Sequence, residues 1–510
     1  MLGQLIHVKI LSSVPLEVYI VRRRKMKFYL RILLLLMAVI LSFSVFVGCE
    51  KPNEDETRGE EETDDPTSIF PDVERKNYNE DFNIYVADAS GSGPFYLDEE
   101  DNDGSPMDEA VYRRQDRVER YLGIDIVGVK YPSTAYNTYN KFIQTAVQNM
   151  DGTLDALITH VYGAVPNLIS DNLLIDLGEF EGIDLDAEYW NMDFMNDLEL
   201  NGNYFLGLSD YNLLNTYVIA FNKDMLAQYE SAMDKSVYDL VRDMEWTLDE
   251  MIDLARLVYA DTTGDGKTAD DTYGITGTCW VGFCGFLTSS NIPMMAQDQS
   301  GTYKVAINQS QYFERADGLI TKLRELAMSN YAYFDYPPDY HKLSVPLASG
   351  RALMQTASTG GLTSLLDYNL EFGVLPYPMY DLNQASVGYK SLQWGGYIGV
   401  LSYLKNPIMV GETLEMLAFY SENVKITYYE KLLGKQVANM PDDAAMFDIV
   451  WNSLSTDVGQ TFLEVVDYIG VCYLVPELVD PSATKNLASY INGKENLVNE
   501  SFRKFINNID

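Results

Sequence analysis

Residues 201–226 read NGNYFLGLSDYNLLNTYVIAFNKDML. Within them the apolar run Tyr217–Phe221 reads as a strand, and Phe221–Asp224 spells FNKD. The run gains its meaning from what lies upstream. FNIYVA (Phe82–Ala87), IDIVGV (Ile124–Val129) and ALIT (Ala156–Thr159) are short apolar strands. Between them lie two helical patterns: MDEAVYRRQDRVERYLG, with apolar residues at Ala110, Val111, Val118 and Leu122, and YNKFIQTAVQNM. Strands and helices alternating at this spacing predict an α/β domain made by right-handed parallel crossovers. YVIAF restarts that pattern.

Downstream, MEWTLDEMIDLARLVYA has a helix start of its own: Thr247 is placed as N-cap with Glu250 three residues on, a capping box. Met251, Ile252, Leu254, Ala255, Val258 and Tyr259 supply its apolar stripe. EFGVLPYPMYD and GGYIGVL are strand-like, and the chain from ETLEMLAFYSE onward is mostly helical. A length of 510 residues predicts two or three domains. The formal charge of -38 argues against a nucleic-acid binder, which needs a basic face.

The first 48 residues read as a signal peptide. Arg22, Arg23, Arg24, Lys25, Lys27 and Arg31 precede the apolar run Ile32–Val47, which is shorter than the roughly 20 residues of a spanning helix. Met26, opening MKFYLR, is the more natural start of that leader. Gly48-Cys49 at the end of the run resembles the lipobox of bacterial lipoproteins, which implies lipidation of Cys49; Phe46 stands where leucine is usual. An ordinary cleaved signal or an uncleaved anchor is the alternative. Residues 49–78 begin EKPNEDETRGEEETDDPTS after the cysteine, too acidic and too poor in apolar groups to order, and predict a disordered tether. Cys279, Cys284 and Cys472 make no disulfide framework; the first two could pair or stay as buried thiols.

Seven ordered segments now carry a resemblance: NLISDNLLIDLGEF, the stretch at 201–226 with its FNKD, SVYDLVRDMEWTLDEMIDLA, DTTGDGKTADDTYGI, SGRALMQ, FGVLPYPMYD and WGGYIGVL. From Asp81 to the C-terminus the chain resembles the extracellular solute-binding proteins of ABC importers, of the sugar-binding type related to maltose-binding protein. The resemblance implies a two-lobed α/β periplasmic-binding-protein-like (Venus flytrap) fold with discontinuous lobes joined by crossing strands. Lobe 1 would comprise 79–215 plus about 399–430, and lobe 2 would comprise 216–398 plus about 431–510. Crossings are expected near Asn212–Ala220 and Trp394–Leu401. It further implies a monomer, lipid-anchored on the extracellular face of the bacterial cytoplasmic membrane, that gives a mono- or oligosaccharide to ABC permease subunits. A ligand-presenting sensor, or a binder of a non-sugar solute, is the alternative.

Sugars are held by aromatic faces and planar polar groups in loops at strand ends. The candidates are Trp280, Trp394, Tyr211, Asn212, Thr159, His160, Tyr162 and Ser90. Trp190, Trp246 and Trp451 sit in helical or capping contexts and read as packing. The chain lacks a G-x-S-x-G elbow, a P-loop and H-E-x-x-H, so no enzyme is expected and no cofactor is required. DTTGDGKTADDTYG, residues 261–274, begins like a calcium loop, but Thr272 stands where the closing glutamate belongs. By the resemblance, Asp261, Thr263 and Asp265 would offer side-chain oxygens, Lys267 its carbonyl, and Asp270 or Asp271 would close the shell of a structural Ca2+. The other reading is a turn held by aspartates bonding their own backbone around Gly264 and Gly266.

Overall fold

The computed structural model describes residues 71–509 apart from 88–96, 98–103, 130–138, 151, 161–164, 213–215, 279–280, 336–344, 369, 394, 435–438, 468 and 470. Among the described residues the strands are β1 (Glu80–Val86), β2 (Ile124–Val129), β3 (Ala156–Thr159), β4 (Tyr217–Asn222), β5 (Tyr273–Thr278), β6 (Met295–Gln297) and β7 (Tyr303–Val305). They continue with β8 (Ala332–Asp335), β9 (Ala352–Ser358), β10 (Phe372–Pro376), β11 (Ser391–Leu392), β12 (Tyr397–Val400) and β13 (Leu454–Ser455).

Nine of the described strands sort into two larger sheets, and β11–β13 and β6–β7 form two small pairs. One larger sheet has the order β12-β3-β1-β2 and the other β10-β4-β9-β5-β8. In the first, β1 pairs in parallel with β2 and β3, and the late strand β12 closes the edge antiparallel to β3. In the second, β4 runs antiparallel between β9 and β10, while β5 is parallel to β8 and β9. Chain order therefore enters the first sheet, leaves it after β3 to build the second, and returns as β12. Two α/β lobes made of discontinuous chain follow from this path.

Each sheet is covered by helices whose starts and stops are local. Ser105 accepts from the amide of Asp108 at the start of helix Pro106–Leu122, and Gly123 ends that helix at φ +63, a left-handed position. Its stripe of Ala110, Val111, Val118 and Leu122 is buried, as the spacing predicts. Helices Pro407–Phe419 and Glu422–Leu433 pack on it, whereas helix Pro441–Trp451 packs on β10 of the other sheet. Thr247 caps helix Leu248–Arg256 by accepting from the amide of Glu250 at 3.3 Å.

FNKD has a structural role. Asn222 caps the following turn by accepting from the amide of Met225 at 2.9 Å, and Lys223 pairs with Asp443 of helix Pro441–Trp451. Asp443 is buried and also accepts from the Tyr238 hydroxyl at 2.6 Å, so this charge is neutralised and bonded. All three tryptophans assigned to packing are buried: Trp190 donates to Glu415, Trp246 donates to the Pro376 carbonyl, and Trp451 lies against Tyr428, Tyr429 and Phe447.

The disordered tether expected over 49–78 is corrected at its end. Residues 71–78 lie against lobe 1: the amides of Lys76 and Tyr78 donate to the carbonyls of Tyr121 and Leu122, and the Tyr121 hydroxyl donates to the Val73 carbonyl. Lys76 and Tyr78 also share the carboxylate of Glu412. Val73 and Tyr78 supply the apolar groups that the acidic run before them lacks. Among the described residues, no helix is long and apolar enough to cross a membrane.

Candidate binding cleft and hinge

The carboxyl ends of the parallel strands are where an α/β sheet exposes a crevice. In lobe 1 that edge is Thr159-His160 at the end of β3, and in lobe 2 it is Ser358-Thr359 at the end of β9. The two edges meet through the crossing segments. Thr359 donates its amide to the Thr216 carbonyl at 2.9 Å, and the Thr216 hydroxyl donates to the Leu392 carbonyl at 3.1 Å. Gln393, beside Thr216 in an antiparallel bridge, donates its side-chain amide to the Gly395 carbonyl at 2.8 Å. Gly395, at φ +118, lies so close to the His160 ring that a Cβ there would overlap it. A half-buried histidine, a glycine-lined turn and a threonine at a helix start therefore face one crossing ribbon.

That ribbon has three segments. Isolated antiparallel bridges at Gly207–Ile398 and Thr216–Gln393 tie the first two together. The third segment comes from β13: Leu454 and Ser455 pair in parallel with Ser391 and Leu392 of β11. Sequence reading missed it. Its only signal was the run Ser455-Thr456-Asp457 between two helical stretches, an N-cap pattern that the structure uses when Asp457 accepts from the amide of Gly459 at 2.7 Å.

The predicted ligand residues separate into groups. Asn212 is fully buried and its amide group is spent on the ribbon. Its Oδ1 accepts from the amide and hydroxyl of Ser209, and its Nδ2 donates to the carbonyls of Gly207 and Gly396. Tyr211 is buried with the Arg114 guanidinium 4.7 Å over its ring. Both side chains are thus buried in the ribbon, and the amide of Asn212 is bonded within the chain. Thr159 is buried, its hydroxyl bonded to that of Tyr139, and burial holds the Tyr139 phenol well above its ordinary pKa. His160, half-buried at the end of β3, has its ring against Gly395. Trp280, Trp394, Tyr162, Ser90 and the lipidation candidate Cys49 lie outside the described residues. Cys284 is buried.

In the 261–274 loop, carboxylate oxygens of Asp261, Asp265 and Asp271 lie within 4.8 Å of one another. Asp271 is buried and accepts from the amides of Thr268 and Thr262, each at 2.9 Å; the Thr268 bond is the largest cause of its lowered pKa. Asp261 accepts from the amides of Gly264 and Gly266, whose φ values of +73 and +90 need glycine. The Thr263 hydroxyl bonds Asp265. Asp270 faces Arg351 at 3.4 Å, and the Lys267 ammonium donates to the carbonyls of Ala327 and Ser329. The loop is thus the self-bonded aspartate turn, with three of its carboxylates also converging as a metal set requires.

No protein-family model matches the chain. No curated protein matches it either. Among solved structures, an ABC substrate-binding protein from Listeria monocytogenes, in complex with cycloalternan, aligns at 12% identity and TM-score 0.50, over 83% of this chain and 99% of that one. The GacH receptor of Streptomyces glaucescens, solved unliganded and in complex with acarbose and an acarbose homolog, aligns at 13% identity and TM-score 0.49, over 84% and 99%. The chain thus has the two-lobed periplasmic-binding-protein-like fold in which the Listeria protein is built.

Proposed function

We propose that the chain is an extracellular, lipid-anchored binding protein that captures a mono- or oligosaccharide and delivers it to the permease of an ABC importer. The observation that carries the reading is the meeting of both strand-end edges, His160 and Thr359, on one hinge ribbon. A fold counterpart solved with a cyclic carbohydrate supports the ligand class. The Listeria counterpart is a substrate-binding protein, which favours binding over catalysis. The signal and Cys49 supply the anchor.

Thermal denaturation against a sugar panel tests this directly. A ligand binding only the folded state stabilises it by about 4 kcal/mol at a thousandfold excess over Kd. The expected result is a raised midpoint with at least one sugar and no product released. Peptides or polyamines raising the midpoint while every sugar leaves it unchanged would overturn the carbohydrate reading.

We also assign Asp261, Asp265 and Asp271 as candidate holders of a structural calcium ion, which takes six to eight oxygens and here would need carbonyls or waters besides. The expected outcome is a calcium-dependent rise in melting temperature that the double substitution Asp265→Asn, Asp271→Asn removes. If calcium leaves the parent's midpoint unchanged, the loop is a turn alone.

A further inference from the structure

Beside the third crossing segment lies a cavity of about 340 Å³ with walls from both lobes: Asn196, Asp197 and Glu199 on one side, and Met295, Tyr303 and Tyr312 on the other. A ring of contacts surrounds it. Asp197, at the end of helix Met192–Asp197, accepts from the hydroxyl of Ser455 at 2.7 Å and the amide of Thr456 at 3.2 Å. Asp457, next in that segment and buried, accepts from the amides of Met294 and Met295 at 3.1 and 3.3 Å, which fixes the start of the β6–β7 hairpin. Gln297 pairs with Tyr303 across the hairpin, and the Tyr303 hydroxyl donates to the Glu199 carbonyl at 2.7 Å. The ring thus returns to lobe 1 two residues from where it began.

The two sides are anchored on different helices, Pro407–Phe419 and Glu495–Ile506. Glu199 and Asp197 follow Trp190, which donates to Glu415 beside the first sheet. The Tyr303 ring lies tilted against Phe502 with centroids 5.1 Å apart, and Val305 beside it donates its amide to Asn499, so the hairpin is tied to helix Glu495–Ile506. Packed side chains resist relative motion, whereas a cavity between two bodies can change volume without displacing a core. Among the described residues, the Tyr303 hydroxyl bonds the Glu199 carbonyl directly across the gap.

We propose that Tyr303 is a positioning residue: its bond to the Glu199 carbonyl braces the two lobes from outside the ligand cleft, and the cavity is the clearance in which the hinge turns. This deepens the binding-protein reading and rests on it for its purpose, while its test needs no ligand. Tyr303→Phe removes the donor and keeps the ring on Phe502. Spin labels on a ketone-bearing residue at Tyr112, in lobe 1, and Met328, in lobe 2, are both exposed and leave the native cysteines unlabelled. The full ligand-free chain is then measured by double electron–electron resonance, with a thermal melt to confirm folding. One hydrogen bond's net worth corresponds to about a fivefold change in the ratio of two lobe arrangements. The expected result is a shifted or broadened interlobe distance in Tyr303→Phe at a nearly unchanged midpoint. A distance distribution identical to the parent's overturns the brace, whether or not the midpoint falls, and does so independently of any sugar result.

Discussion

Alanine at Gly274 is expected to destabilise lobe 2 by about 3 kcal/mol or more, at the upper end of overpacking costs. Gly274 lies in β5, and the last turn of helix Leu248–Arg256 presses its backbone onto that strand: a Cβ at Gly274 would overlap the carbonyl, carbon and Cα of Ala255. Rotamers give way cheaply, but backbone does not. Strand and helix are each committed, since Gly274 donates its amide to the Tyr331 carbonyl at 2.9 Å and Ala255 is fully buried. One added methyl group must therefore part a helix from its sheet. For a lobe of this size the midpoint should fall by about 6–12 °C. A midpoint within about 1 °C of the parent's, well under the shift for a single kcal/mol, would show that the helix does not sit on the strand as described.

The second large effect falls on binding. Gly395→Ala is expected to weaken the ligand's affinity at least about tenfold, or roughly 1.4 kcal/mol. Two causes add. A φ of +118 is a conformation that side-chain-bearing residues rarely adopt, and the new methyl group would displace the His160 ring from the cleft edge. Gly202→Ala separates them: its φ is +89 but its Cβ would meet open space, so it carries backbone strain without moving His160. Calorimetric titration with the sugar identified by the thermal panel should show Gly202→Ala binding like the parent and Gly395→Ala binding poorly. Equal affinity in all three proteins would remove His160 and Gly395 from the site.

Much of the scaffold was readable without coordinates because its signals are short-range. The stripe Ala110–Val111–Val118–Leu122 and the Thr247 cap each depend on residues within a few positions of one another. IDIVGV and ALIT emerge as β2 and β3 with the bounds read from the sequence. The crossing at Trp394–Leu401 contains β12, while β13 escaped notice because two residues give no periodicity to detect.

The site was less legible, and Asn212 shows why. Polarity and position beside a crossing make it resemble a ligand contact, yet Gly396, 184 residues away, takes one of its donors. Asp197 and Ser455 are 258 residues apart and meet at 2.7 Å. Spacing along the chain carries no information about such pairs. By itself the sequence determined the acidic run and the alternation of helix and strand, both set by local periodicity and composition. Only the tertiary structure decided which polar groups are spent on the hinge, that a third segment joins the ribbon, and that Tyr303 reaches across to Glu199. Burial and hydrogen-bond partnership are long-range outcomes of packing, and they determine which side chains are left for a ligand.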